Sequence, residues 1–127
     1  MEQNGSIYLD YAATTPLDGD VLEAMLPYFR ENFGNPSSIH RYGQRADAAL
    51  EQAREAVATA LNARASEILF TSGGTEGDNL ALRGAALAMR KKNGARRILI
   101  SPVEHHAVLH TAQQLASDYD FFLDFLP

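Results

Sequence analysis

The sequence predicts an α/β fold, a mainly parallel sheet flanked by helices. Two observations point to the sheet and one to where it matters. Short apolar runs (Ile68-Leu69-Phe70, Ile98-Leu99-Ile100 and Phe121-Phe122-Leu123 with Phe125-Leu126) alternate with longer stretches of helical periodicity. Continuous runs of this kind suit parallel strands covered on both sides. Between the first run and its helix stand Thr71-Ser72-Gly73-Gly74-Thr75, the composition of a tight strand-to-helix turn.

The elements follow in order. Ile7-Tyr8-Leu9 is a short strand candidate, and Asp10 to Pro16 a polar turn. Residues 1–16 are thus read as an N-terminal strand and arm, and 17–127 as an incomplete large domain. Asp18 is placed to cap a helix with Val21, Leu22, Met25, Leu26 and Phe29 on one face. Pro27 is expected to bend or shorten its last turn. Gly34-Asn35-Pro36-Ser37-Ser38 is a loop, with Ser38 the expected cap of a long helix over 39–61. Ala46, Leu50, Ala53, Val57 and Leu61 form its apolar face, and Arg45, Glu51, Arg54 and Glu55 its solvated one. After the glycine turn, Leu80, Ala81, Ala85 and Met89 mark the next helix, which Asn93-Gly94 should close. A further helix is expected from near Glu104 past Val108 and Leu115. An apolar strand then ends the sequence, an edge that invites pairing and suggests a continuation.

Composition narrows the function classes. Of 127 residues, 46% are hydrophobic and 21% charged, the balance of a soluble globular chain. The net charge is −5, so no basic stripe is available for a nucleic-acid backbone. No apolar run reaches membrane-spanning length, and the polar N-terminus carries no signal-peptide pattern. Cysteine is absent, which removes any disulfide framework. A cytoplasmic location is the expectation.

The glycine turn is the leading site candidate. The first amides of a helix lack internal partners and sit at the positive end of its dipole. Glycine lets an anion approach the backbone, and Thr75 adds a hydroxyl, so Gly74 and Thr75 read as a phosphate seat. Tight packing is the alternative reason for the glycines. A Walker loop would need a lysine here. A dinucleotide fingerprint would need glycine where Ser72 stands, and an acid where the next strand ends in Ser101-Pro102. His105 follows that next strand, so it should face the same crevice. Its imidazole can stack on a heteroaromatic ring or move a proton; the alternative is a helix-start histidine bonded to backbone. His106 and His110 share a helix face at a metal-ligand spacing, but residue 107 is Ala where a metalloprotease motif has Glu. No metal site is assigned. Asp10 to Thr15 and Asn35 are polar loop residues, suited to a pocket wall or to Asx and Thr turns.

Together these stretches resemble the cysteine desulfurases of the NifS/IscS type, pyridoxal-phosphate enzymes of the class V aminotransferase group. The resemblance is carried by Ile7 to Pro16, Phe33 to Ser38 with His40 and Gly43, Phe70 to Glu76 with Asp78-Asn79, and Glu104-His105 with Ala107-Val108. The motifs stand in family order and correspond to about the first third of such an enzyme. The resemblance implies the start of the large domain of a type I PLP-dependent transferase. It implies that Gly74 and Thr75 hold the phosphate of pyridoxal 5'-phosphate, that His105 stacks on its ring, and that Asn35 borders the substrate. It also implies L-cysteine as substrate, L-alanine as product, and sulfur passed as a persulfide for iron–sulfur cluster or thio-cofactor assembly. A sulfur-acceptor or scaffold protein and a homodimeric full-length enzyme are the implied partners. Selenocysteine lyase or another class V member is the near neighbour.

Such enzymes bond their cofactor through a lysine. The lysines here are Lys91 and Lys92, expected at the far end of a helix as C-terminal charge. The persulfide cysteine and the partner of the pyridine nitrogen would lie beyond Pro127. The competing expectation is a non-catalytic truncated or split-protein fragment that needs a complementary chain.

Overall fold

A computed structural model describes residues 7–127. The first residues of the expected arm, 1–6, lie outside the described residues. The chain divides into two units, Met1–Ile68 and Leu69–Pro127.

The first unit is helical. Ile7 to Leu9 form no strand, a correction to the strand expectation. Instead the Tyr8 hydroxyl donates to the carbonyls of Asp10 (2.8 Å) and Thr14 (3.1 Å), which ties this segment to its own turn. Helix α1 is Gly19–Arg30, and Asp18 caps it by accepting from the amides of Asp20 and Val21. Pro27 does not shorten it. The helix runs on to Arg30, and the Pro27 carbonyl accepts from Glu31 N–H at 2.8 Å.

Helix α2 is Arg41–Ala60, and its cap is His40, whose Nδ1 accepts from Gly43 N–H. Ser38, the expected cap, lies two residues too early. The reason is a close crossing at Gly43, where a Cβ would stand 2.0 Å from the Ser38 carbonyl oxygen. That contact places Ser38 over the first turn rather than at its start. On the outer face, Arg54 pairs with Glu51 at 3.0 Å and also donates to the Ile68 carbonyl.

The second unit contains the sheet. Helix α3, Gly74–Asn93, ends at Gly94 in the left-handed region (φ 76°), whose N–H returns to the Arg90 carbonyl. Strand β1 is Arg97–Ile100, helix α4 His106–Tyr119, and strand β2 Phe122–Phe125. The two strands pair in parallel, Ile98 opposite Leu123 and Ile100 opposite Phe125. Ile98, Ile100, Ala112, Leu115 and Phe121 form the core, with Leu82 and Ala86 of α3 packed against it.

One expectation about the sheet is corrected here. Ile68 takes extended dihedrals, but residues 68–70 join no strand ladder. Within this unit α3 and α4 pack on the Ile98/Ile100 face of the pair, and Leu99, between those two residues, is 58% exposed. An apolar run becomes a strand only when a neighbour takes up its backbone groups. The packed face of α3 is also shifted by a residue or two from the expected one. Asn79, Leu82, Arg83, Ala86 and Arg90 are half-buried, while Leu80 and Met89 are exposed.

Candidate functional site

The site is built at the N-terminal ends of α3 and α4. Gly73 precedes α3 and offers no side-chain cap. The first turn closes with Gly77 N–H on the Gly73 carbonyl (3.0 Å), so the amides of Gly74, Thr75 and Glu76 are the ones the helix itself does not use. A Cβ built at Gly73 or Gly74 meets nothing within 4 Å. The glycines therefore answer no packing need in this unit, and what they leave is open approach to the amides. The Glu76 carboxylate turns back to Ser72, accepting from its N–H (2.6 Å) and hydroxyl (2.7 Å). Those two bonds, the backbone one foremost, hold its carboxyl below the usual glutamate range. Its charge is thus spent on Ser72, two residues before the helix.

His105 caps α4, its Nδ1 accepting from Ala107 N–H at 3.1 Å. The backbone-bonded alternative is realised, and it has a chemical consequence. With Nδ1 accepting, the proton of the neutral ring sits on Nε2. Thr75 and His105, thirty residues apart, line one open cleft of about 320 Å³ with Asn79, Arg83, His106 and Thr111 among its walls. His106 and His110 stack on each other, ring centroids 5.1 Å apart.

Thr111 was not singled out by sequence, and Asn79 entered only as part of the motif Phe70 to Glu76 with Asp78-Asn79, without a role. Asn79 Nδ2 donates to the Thr75 carbonyl (2.8 Å), and its Oδ1 accepts from the Thr111 hydroxyl (2.6 Å). The available signals were a polar residue four after Thr75 and a threonine among the apolar positions of α4. Asn35 lies in the first unit. Its Oδ1 accepts from Ser37 N–H (2.9 Å) and its carbonyl from Ser38 N–H, which is the Asx-turn alternative. Lys91 and Lys92 stand in the last turn of α3. At 1.5 Å per residue, that is about 24 Å along the axis from Thr75.

The family model for aminotransferase class V matches residues 7–127. The chain belongs to this family. It is 50% identical over 121 residues to the cysteine desulfurase IscS of Dictyoglomus turgidum, covering 95% of this chain and 30% of that protein. The IscS of Methanosarcina thermophila is also 50% identical, over 125 residues, with 98% and 30% covered. Among solved structures, a NifS-like protein superposes with a TM-score of 0.83 at 42% identity, over 95% of this chain and 32% of that one. A structure titled SspA in complex with cysteine gives 0.81 at 40% identity, with 95% and 34% covered. The chain thus spans about a third of the length of these relatives. Its fold is the α/β start of the large domain of a type I PLP-dependent transferase.

Pyridoxal 5'-phosphate is the cofactor of this family. The residues present fit its phosphate end: an uncapped helix start, open space over two glycines, a threonine hydroxyl and a flat imidazole on the same cleft.

Proposed function

We propose that this chain supplies the phosphate seat and the ring-facing histidine of a PLP-dependent cysteine desulfurase. The observation that carries the reading is the convergence of Thr75 and His105 on one cleft at an uncapped helix start. Thr75 and the amides of Gly74 and Thr75 bind the phosphate. His105 lies against the pyridine face and presents its Nε2 proton there. When bound, the cofactor supplies the electron sink for chemistry at the substrate's α-carbon. In the overall reaction, the Cβ–S bond of L-cysteine breaks and a protein thiol gains that sulfur as a persulfide. The thiol's proton is accounted for in L-alanine. The thiol comes from outside these 127 residues, which contain no cysteine.

The reading extends to a cytoplasmic homodimer that passes sulfur to an acceptor or scaffold protein for iron–sulfur or thio-cofactor assembly, with Asn35 on the substrate side. A protein carrying this chain, given L-cysteine and pyridoxal 5'-phosphate, should release alanine. Failure to release either alanine or sulfide would sink the proposal. A preference for L-selenocysteine in the same assay would move it to selenocysteine lyase. His105→Ala should lower turnover far more than the unfolding midpoint; equal losses would reduce His105 to a helix cap.

The placement of Lys91 and Lys92 favours a second reading, in which this chain alone is non-catalytic and a complementary chain brings the lysine. Borohydride trapping of the chain with the cofactor, followed by peptide mapping, should then find no adduct that depends on Thr75. An adduct at Lys91 or Lys92 abolished by Thr75→Val would contradict it.

A further inference from the structure

The elements that carry Thr75 and His105 are held very differently. Helix α4 is pinned to the sheet by Ala112 and Leu115, both fully buried. Helix α3 has no buried residue, and its first apolar contact with the core is Leu82, about two turns after Thr75. What fixes its opening turns is polar. Thr111, 3% exposed, is the buried polar residue among the described residues. Its hydroxyl donates to Asn79 Oδ1, and Asn79 Nδ2 donates to the Thr75 carbonyl. Arg83 reaches the same Oδ1 from the next turn (3.4 Å) and also donates to Gln114 of α4.

We infer that Asn79 and Thr111 are positioning residues, which lock the phosphate-holding turn of α3 to the helix that His105 caps. The inference rests on the phosphate-seat reading above and deepens it. Asn79 uses both ends of its amide at once. Its donor holds the peptide that follows Thr75, and its acceptor is held by the rigid helix. Without the Thr111 hydroxyl, the first turn of α3 keeps its helical bonds but loses its registration against α4. The three free amides and the Thr75 hydroxyl then no longer converge on one phosphate position. A buried hydroxyl and amide that served only to join two helices would contribute to stability and leave ligand preference alone.

The test measures affinity of the full chain for pyridoxal 5'-phosphate and for pyridoxal, which lacks the phosphate. It uses Thr111→Val, Asn79→Ala and Thr111→Ser, at a temperature where circular dichroism shows each folded. Valine matches threonine in shape, and alanine suits a helix interior, so the two disruptive variants perturb the fold in different ways. The expected result is a fall of about 5- to 10-fold in preference for the phosphorylated ligand in Thr111→Val and Asn79→Ala, from the loss of one ordered hydrogen bond. Thr111→Ser should recover most of it. An unchanged preference with a lowered melting temperature would overturn the inference and leave an inter-helix tie. Should the unmodified chain itself not prefer the phosphorylated ligand, the phosphate seat fails and takes the positioning role with it. The two failures are distinguishable because the second already shows in the unmodified chain.

Discussion

The two units use similar residues to very different effect. Helix α1 carries Val21, Leu22, Met25 and Phe29 on one stripe, yet the helix has no buried residue and Phe29 is 69% exposed. In the second unit, Ile98 and Ile100 of β1, Ala112 of α4 and Phe121 just before β2 close around Leu115, which has no exposure at all. The difference lies in the partners: strand β1 and its parallel neighbour give α4 a surface to cover. In the first unit α1 is capped by Asp18 and buries nothing, while α2 is capped by His40 and buries only Gly43 and Ala58. A stripe of apolar residues states a capacity for burial, and a packed surface is what realises it.

That contrast predicts a ranking of substitutions. Leu115→Ala should be the most damaging, at about 2–5 kcal/mol, because it empties the centre of the only core cluster among the described residues. Phe29→Ala in the first unit should stay within about 0.5 kcal/mol in the same denaturant titration. Comparable losses at the two positions would erase the distinction. Gly43→Ala should come next, at about 1–3 kcal/mol, since its Cβ would collide with the Ser38 carbonyl. Asp18→Ala should cost about 1 kcal/mol, the worth of an N-cap, read as fraying of α1 in hydrogen exchange. The smallest effect belongs to Glu76. Its pKa is lowered in the fold by the bonds to Ser72, so its contribution is present above the ordinary glutamate range. It is lost as pH falls through the lowered value. Acid titration should therefore loosen the start of α3 at low pH, and Glu76→Gln should remove that pH dependence.

The sequence made the second unit more legible than the first. Gly94 as the left-handed end of α3, Asp18 as the cap of α1, both strands of the sheet and the meeting of Thr75 with His105 all follow from local chemistry or from strand-end geometry. Residues 68–70 look like a strand because they are apolar, but a strand depends on a neighbour that periodicity cannot name. His40 displaced Ser38 as a cap because of a backbone crossing at Gly43, and no single-residue preference encodes it. Asn79 and Thr111 are 32 residues apart, and a polar pair of that separation has no periodic signature. The half-buried polar face of α3 makes sense only once that pair is seen.

The most direct test of the account follows backbone amide and imidazole resonances while the full chain is titrated with pyridoxal 5'-phosphate. The account predicts that Gly74 and Thr75 amides shift together with the His105 ring, with one binding curve, and that Thr75→Val weakens that curve by about 1–3 kcal/mol. Shifts confined to other residues, with Gly74, Thr75 and His105 still, would contradict it.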